Sequence, residues 1–185
     1  MKNQQATIYK ALECRPDSFR DWYQQGNTLR DRGRYWEALA SYEKALEYEP
    51  HSYWVWYWRG NVLDDLREYT KALASYDQAL LIHPQDYWAW YKRGNMLAEL
   101  GRYEDALVSY DKALNIRPDD YWAWYSRGRL ALFSLGWYKE AIACFDIALE
   151  IRPQDYWSRY RRDEALQQLG RYDGAIASFE QAISD

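Results

Sequence analysis

The side chains best suited to binding chemistry in this chain are aromatic, and they recur at a fixed spacing. The chain has 11 Trp and 19 Tyr among 185 residues. Residues 53–57, 87–91 and 121–125 are nearly identical runs of rings, each opening with Tyr-Trp and closing with Trp-Tyr. Trp and Tyr combine a large rigid apolar surface with one polar group, so they contact ligands at low entropic cost. The pattern predicts stacking and hydrogen bonding to a ligand.

No arrangement of residues in the sequence indicates catalysis. His51 and His83 flank prolines in separate predicted turns, without Cys or carboxylate residues at metal-binding spacing. Ser41, Ser75 and Ser109 have no basic residue placed to activate them, and we predict that they lie on helix surfaces. Neither a phosphate-binding loop nor a G-x-S-x-G motif is present. The sequence therefore predicts a protein that is not an enzyme, with no cofactor and no metal.

Prolines divide the chain into units of equal length. Pro16, Pro50, Pro84 and Pro118 are 34 residues apart, and Pro153 follows after 35. Proline inside a helix costs about 3 kcal/mol, so its regular return marks helix boundaries, with two helices per unit. A fixed period of this length is typical of stacked repeats. We predict one domain made of a second helix from a truncated repeat at 1–18 and repeats at 19–52, 53–86, 87–120, 121–155 and 156–185, the last without a capping helix.

The same residue types return at the same places in each unit. The second unit has Trp56, Gly60, Ala72, Tyr76 and Pro84 at places that the other full units largely share. This pattern resembles the tetratricopeptide repeat, whose signature is W-x2-L-G-x2-Y, then A-x3-F, A and P, over about 34 residues. The sequence pattern of the repeats is similar to that of bacterial, especially cyanobacterial, members of the family.

The resemblance implies an all-α fold, a right-handed superhelical α-solenoid of antiparallel helix pairs. Arginine replaces the family's leucine before the repeat glycine, and the last repeat has Arg159 and Asp163 where others have tryptophan and glycine. In this family the first helices line a concave groove that binds peptides. We therefore expect a non-catalytic protein–protein interaction scaffold that binds an extended or helical peptide.

Positions two, five and nine, counted from the opening aromatic residue of each unit, fall on one face of the first helix. The resemblance implies that this face lines the groove. An asparagine row there would hold peptide main chain, while the rings accept apolar or proline side chains. The predicted peptide-binding residues are Tyr23, Asn27, Trp54, Tyr57, Asn61, Trp88, Tyr91, Asn95, Trp122, Tyr125, Trp157 and Tyr160.

Other interpretations of the aromatic residues remain open. The tryptophans at position two could instead stack on tyrosines of adjacent units and stiffen the array, since aromatic pairs contribute about 0.5–1.5 kcal/mol beyond burial. A protein with uncapped repeat ends could be a self-assembly module, forming a homo-oligomer. An aromatic ladder could also bind carbohydrate, and the array could be a regulatory arm fused to an enzyme.

The fourth repeat contains one extra residue. Gly128 and Gly136 are eight residues apart, where Gly94 and Gly101 are seven apart. One interpretation is a local helical bulge that buries the added bulk. The other is an exposed apolar patch that a partner contacts, formed by Leu132, Phe133 and Trp137.

Charge and cysteine content exclude several classes of protein. The net charge of −4 gives no electrostatic footprint for nucleic acid. The recurring Arg59, Arg93 and Arg127 are predicted to pair with acidic residues of second helices rather than to bind phosphate. No apolar stretch is long enough to span a membrane. Cys14 and Cys144 are predicted to be free thiols, which favours a cytoplasmic location.

Overall fold

The computed structural model describes residues 17–184, with side chains described through residue 173. The regular elements within this range are all helical. They are α1 (Phe19–Asp31), α2 (Tyr35–Tyr48), α3 (Tyr53–Asp65), α4 (Tyr69–Ile82), α5 (Tyr87–Glu99), α6 (Tyr103–Ile116), α7 (Tyr121–Leu130), which continues into a π-helical turn (Ala131–Leu135), α8 (Tyr138–Ile151) and α9 (Tyr156–Ser184). The helix predicted at 1–18 lies outside the described residues, apart from residues 17 and 18.

The helices pack in chain order within two compact units, Met1–Leu100 and Gly101–Asp185. In the first unit each of α1 to α4 packs on the next helix, ending with α5. In the second unit α6 packs on α7, α7 on α8 and α8 on α9. Because short connections between packed helices give antiparallel neighbours, the fold is the predicted all-α solenoid of helix pairs.

Local sequence signals set where the helices begin and end. Asp86 and Asp120 cap α5 and α7, and each side chain accepts a hydrogen bond from the backbone N–H three residues later. The turns between paired helices need a left-handed residue, supplied by Gly33 with φ 71° and Gly101 with φ 74°. Arg67 takes the same conformation, with φ 58°, at the turn after α3.

A repeat glycine brings the two helices of a pair into close contact. A Cβ atom added at Gly60 would lie 2.8 Å from Cε1 of Tyr76, and one at Gly26 would lie 2.6 Å from Cε1 of Tyr42. Both tyrosines are fully buried. The first helix must therefore lack a side chain at this position for the ring to pack.

The recurring serines are part of the core. Ser41, Ser75 and Ser109 are fully buried, and each hydroxyl donates to the carbonyl oxygen four residues earlier. The prediction that they lie on helix surfaces is wrong, because a backbone carbonyl satisfies the hydroxyl and lets it enter the core. Cys144 occupies the same place in α8 and is also buried.

Ion pairs connect successive helix pairs. Each joins an arginine of a first helix to a carboxylate sixteen residues earlier, on the preceding second helix. This confirms the predicted structural role of the arginine column. The pairs are Arg59–Glu43 at 3.3 Å, Arg93–Asp77 at 2.7 Å, Arg127–Asp111 at 2.8 Å, and Arg162 with Asp146.

The tryptophans at position four anchor the turns between repeats. Nε1 of Trp56 donates to the carbonyl oxygen of Pro50 at 2.7 Å, and the same bond recurs at Trp90 and Trp124. Arg159 replaces this tryptophan in the last repeat, where it donates to the carbonyl oxygen of Pro153 at 2.9 Å. A different side chain thus preserves the contact.

The last repeat differs from the predicted helix pair. Instead of turning near Gly170, the chain continues as the single 29-residue helix α9. Asp163 stands where Gly26 and Gly60 admit a ring from the second helix, so the usual hairpin would place a Cβ against that ring. Leu166 is consequently 41% exposed, whereas its counterpart Leu63 is fully buried.

Candidate functional site

Three rings form the same cluster at the start of each first helix from α3 onward, at positions one, two and five. In α5 the centroids of Tyr87 and Trp88 are 5.0 Å apart and edge-on, while Tyr87 and Tyr91 stack at 6.1 Å. Trp88 meets Tyr91 edge-on at 6.4 Å. The cluster follows from helical geometry, because residues four apart lie on one face.

The tryptophans of these clusters are open to solvent. Trp54 is 57% exposed, Trp88 43%, Trp122 48% and Trp157 55%. By contrast, the position-one tyrosines of α3, α5 and α7 are buried. Trp54 and Trp122 contact tyrosines of their own helices edge-on, which fixes the indoles and leaves much of each ring uncovered.

Position five is less uniform than predicted. Tyr57 is buried, with Tyr53, Trp58 and Tyr76 packed around its ring. Its prediction as a peptide contact is therefore corrected, because neighbouring rings cover it. Tyr160 is exposed, and the half-buried members of the column are Tyr23, Tyr91 and Tyr125.

The asparagines are half-buried at position nine, and two of them are partly engaged within the chain. Oδ1 of Asn27 accepts a hydrogen bond from the Tyr42 hydroxyl at 2.8 Å. Nδ2 of Asn61 donates to the carbonyl oxygen of Tyr57 at 3.0 Å. The Nδ2 donor group of Asn27 and the Oδ1 acceptor of Asn61 therefore remain for the predicted main-chain binding. Asn95 occupies the same position in α5.

Two contacts join neighbouring first helices on this face of the first unit, and sequence reasoning missed both. The guanidinium of Arg30 lies 4.0 Å from the ring centroid of Trp58. Nζ of Lys92 lies 3.1 Å from Oδ2 of Asp64. Each pairs position twelve of one repeat with position six of the next, and the residues at both positions differ from one repeat to the next in the sequence.

Arginines surround the rings in the second unit, and these too were missed. Arg152 lies 4.2 Å from the ring centroid of Tyr121 and 5.4 Å from that of Trp122. Arg161 lies 4.9 Å from Phe133 and 5.9 Å from Trp157. The sequence did carry one sign of added positive charge in this unit: position nine is asparagine at Asn27, Asn61 and Asn95 but arginine at Arg129.

The extra residue of the fourth repeat is absorbed in the π-helical turn. Leu132, predicted as part of an apolar patch, is buried in a cluster with Ala141 and Phe145. Its assignment to the surface is corrected, because the wider turn directs it into the core. Phe133 and Trp137 are 52% and 44% exposed.

The buried tyrosine hydroxyls are structural groups. Burial and a hydrogen bond to Asp155 raise the pKa of Tyr121 to about 12, although the Ser158 hydroxyl bonded to Tyr121 opposes the shift. Burial likewise raises the pKa of Tyr53, which bonds to Asp86, and of Tyr76. Raised values keep these tyrosines neutral at physiological pH.

Two further classes of site were sought in the described part of the chain. There, no helix is both long and apolar enough to cross a membrane. The same residues include no cluster of three or more His, Cys, Asp or Glu side chains able to hold a metal ion.

Family models of the tetratricopeptide repeat match most of the chain. One described as a TPR repeat matches residues 94–130. Three described as tetratricopeptide repeats match 23–87, 75–108, and 123–155 with 164–184. No curated protein sequence gives a significant match to the chain.

Solved structures with the same arrangement of helices are numerous. The crystal structure of MamA superposes with a TM-score of 0.80 at 19% identity, covering 90% of each chain. A tetratricopeptide repeat protein from Parabacteroides merdae ATCC 43184 gives a TM-score of 0.78 at 27% identity, covering 91% of this chain and 67% of the other. YrrB, described as a TPR protein with an unusual peptide-binding site, gives 0.75 at 23% identity, covering 96% and 91%. The repeat pattern, the helix pairs and these matches together show that the chain belongs to the tetratricopeptide repeat family.

Proposed function

We propose that the protein is a non-catalytic protein-interaction scaffold that binds an extended or helical peptide on the aromatic face of its first helices. We define the aromatic face of each unit as its position-two tryptophans with the partly exposed tyrosines beside them. The observation that carries the proposal is the exposure of Trp54, Trp88, Trp122 and Trp157 at 43–57%. Exposed indoles held rigidly by neighbouring rings are typical of binding hot spots, because little rotamer entropy is lost on contact.

The polar groups beside the rings suit a peptide main chain. Asn27 keeps its amide donor and Asn61 its carbonyl acceptor, each about two helical turns from position two. A peptide backbone offers one acceptor and one donor per residue, so both groups find partners whatever the peptide sequence. The indoles would then receive apolar or proline side chains.

Related folds support peptide binding by analogy. YrrB is described as having an unusual peptide-binding site. The first TPR of Spaghetti (RPAP3), with a TM-score of 0.61 and 19% identity, is described as bound to the HSP90 peptide SRMEEVD. We also propose a cytoplasmic location, with which the free, buried thiol of Cys144 is compatible.

The test is selection of a random twelve-residue phage-displayed peptide library on the purified protein, followed by calorimetry with the selected peptides. Removing an indole that becomes buried on binding costs about 2 kcal/mol or more at a hot spot. Trp88→Ala and Trp122→Ala should each therefore weaken binding at least tenfold. Trp36→Ala is the matched control, because Trp36 is 52% exposed but lies on the second helix α2.

Three outcomes would contradict the proposal. Selection could enrich no peptide. Enriched peptides could bind Trp88→Ala and Trp122→Ala as tightly as they bind wild type. Alternatively, Trp36→Ala could abolish their binding. An unchanged circular dichroism spectrum and an unchanged melting temperature would show that each variant is folded. Quenching of tryptophan fluorescence by glycans rather than by peptides would assign the aromatic face to carbohydrate instead.

A second candidate function is self-assembly through α9. Tyr156 is 66% exposed, although the tyrosines at position one of α3, α5 and α7 are buried, and Leu166 is 41% exposed. A second copy covering this surface would remove apolar area from water. Sedimentation equilibrium tests it: a concentration-dependent dimer dissociated by Leu166→Glu supports assembly, and a monomer at all concentrations excludes it.

A further inference from the structure

The two units carry different charges on their aromatic faces. In the first unit two cations of this face are compensated: Lys92 pairs with Asp64 at 3.1 Å, and Arg30 pairs with Asp31 at 2.9 Å. In the second unit Arg129 is exposed, and no hydrogen bond or ion pair within the described residues engages its guanidinium. Two exposed guanidinium groups, those of Arg129 and Arg152, therefore lie with the rings of the second unit.

The sequence spacing places Arg129 among the exposed rings. Trp122 and Arg129 are seven residues apart on α7, two turns along one face. Phe133 follows Arg129 by four residues in the π-helical turn, and it is exposed. We call Trp122, Arg129, Phe133, Trp157 and Arg161 the basic aromatic patch.

Arg161 has a structural part in the basic aromatic patch. Its guanidinium lies near the rings of Phe133 and Trp157, and Nη1 donates to Oε2 of Glu164 at 2.8 Å. That hydrogen bond raises the pKa of Arg161. Because Glu164 compensates Arg161, this side chain contacts the rings, and within the patch Arg129 is the cation that has no ion pair among the described residues.

We propose that the basic aromatic patch selects an acidic residue in the bound peptide, a Glu or Asp that is next to an apolar or proline residue. The carboxylate accepts hydrogen bonds from the Arg129 guanidinium, while the apolar neighbour packs on Trp122 and Phe133. A guanidinium donates two parallel hydrogen bonds to a carboxylate, and apolar walls strengthen such a pair by excluding water. This inference depends on the proposed function and adds to it the charge of the ligand.

Single-stranded nucleic acid is the competing ligand, because arginines and rings also bind phosphates and bases. Phosphate binding needs cations spaced along the strand. Position nine supplies only Arg129 here, after Asn27, Asn61 and Asn95, and the chain has a net charge of −4. Binding of one carboxylate by Arg129, with Arg152 beside Trp122, needs no such regular spacing, so an acidic side chain matches the patch better than a polyanion does.

The experiment extends the phage selection. Peptides enriched on the wild-type protein should carry Glu or Asp beside Trp, Tyr, Leu or Pro. A synthetic selected peptide and its analogue with Gln for Glu are then titrated against wild type, Arg129→Gln and Lys139→Gln. Lys139 is an exposed residue of α8 outside the basic aromatic patch, so its variant removes the same charge as a control.

We expect the Gln analogue to bind wild type about tenfold more weakly than the acidic peptide, which corresponds to about 1.4 kcal/mol. Arg129→Gln should bind the two peptides equally, and Lys139→Gln should behave as wild type. Raising the salt concentration should weaken the acidic peptide on wild type more than on Arg129→Gln.

The outcomes separate this inference from the proposed function. If enriched peptides are neutral or basic, or the Gln analogue binds wild type equally well, while Trp122→Ala still abolishes binding, the charge selection is wrong and peptide binding stands. If no peptide is enriched, both fail. Binding of oligothymidylate that is tighter than that of any peptide and lost in Arg129→Gln would overturn the inference in favour of nucleic acid.

Discussion

Replacing one glycine with alanine should have opposite effects at two helical positions. Gly60 lies inside α3, and an added Cβ would be 2.8, 2.9 and 3.0 Å from three ring atoms of Tyr76. Gly170 lies inside α9, and an added Cβ there would meet nothing within 4 Å. Both replacements remove the same backbone entropy penalty, so the difference isolates the cost of packing.

The magnitudes follow from these contacts. Alanine is favoured over glycine inside a helix by about 1 kcal/mol, so Gly170→Ala should stabilise the protein by up to about that amount. Overpacking a core costs about 1–3 kcal/mol, and the fully buried ring of Tyr76 has little room to move, so the upper part of that range applies at Gly60. Gly60→Ala should therefore lower the free energy of unfolding by about 2 kcal/mol after the helix gain of about 1 kcal/mol.

Urea unfolding followed by circular dichroism measures both variants. For a chain of this size, about 2 kcal/mol corresponds to a melting temperature lower by about 4–8 °C. A Gly60→Ala protein that is as stable as wild type or as Gly170→Ala would show that the Gly60 position is not closely packed. A higher free energy of unfolding in Gly60→Ala than in wild type would mean that helix propensity dominates at this position.

Three further predictions concern stability. Arg67→Gly should raise the free energy of unfolding by about 1 kcal/mol, because a non-glycine residue with φ 58° is strained, and urea unfolding would show no gain if the strain is absent. The raised pKa of Tyr121 contributes stability that is fully present below the unfolded pKa near 10 and is lost as the pH rises toward 12. The urea midpoint should therefore fall between pH 10 and pH 12, and it should fall less in Tyr121→Phe. An equal fall of the midpoint with pH in the two proteins would contradict this. A double-mutant cycle with Arg93→Met and Asp77→Asn should give a coupling of about 0–1 kcal/mol, since the pair is partly exposed, and a coupling above about 2 kcal/mol would show a stronger role.

Much of the helical framework could be predicted because its signals are local. Proline spacing marked the helix boundaries, and the sixteen-residue offset of Arg93 from Asp77 followed from the repeat. The Asp caps and the left-handed turn glycines are properties of single residues. These features require no knowledge of which side chains cover which.

The remaining features depend on tertiary packing. Tyr57 and Tyr160 occupy the same position, yet only Tyr160 is exposed, because Tyr57 is covered by the ring of Tyr76 in its paired helix. The burial of Leu132 follows from a π-helical turn whose direction a one-residue insertion does not specify. Asp163 was visible in the sequence as an exception to the repeat glycine. Its effect on α9 could not be predicted without the short distance between that glycine and the ring of the second helix in other repeats.

The contacts between positions twelve and six make the order of the repeats matter. Arg30 faces an indole in the next repeat, and Asp64 faces the ammonium of Lys92. Deleting residues 53–86 would preserve the period but bring Arg30 opposite Lys92, so that two like charges meet. Although the repeats share one sequence pattern, permuting them would therefore exchange attraction for repulsion, and each module is adapted to its own neighbours.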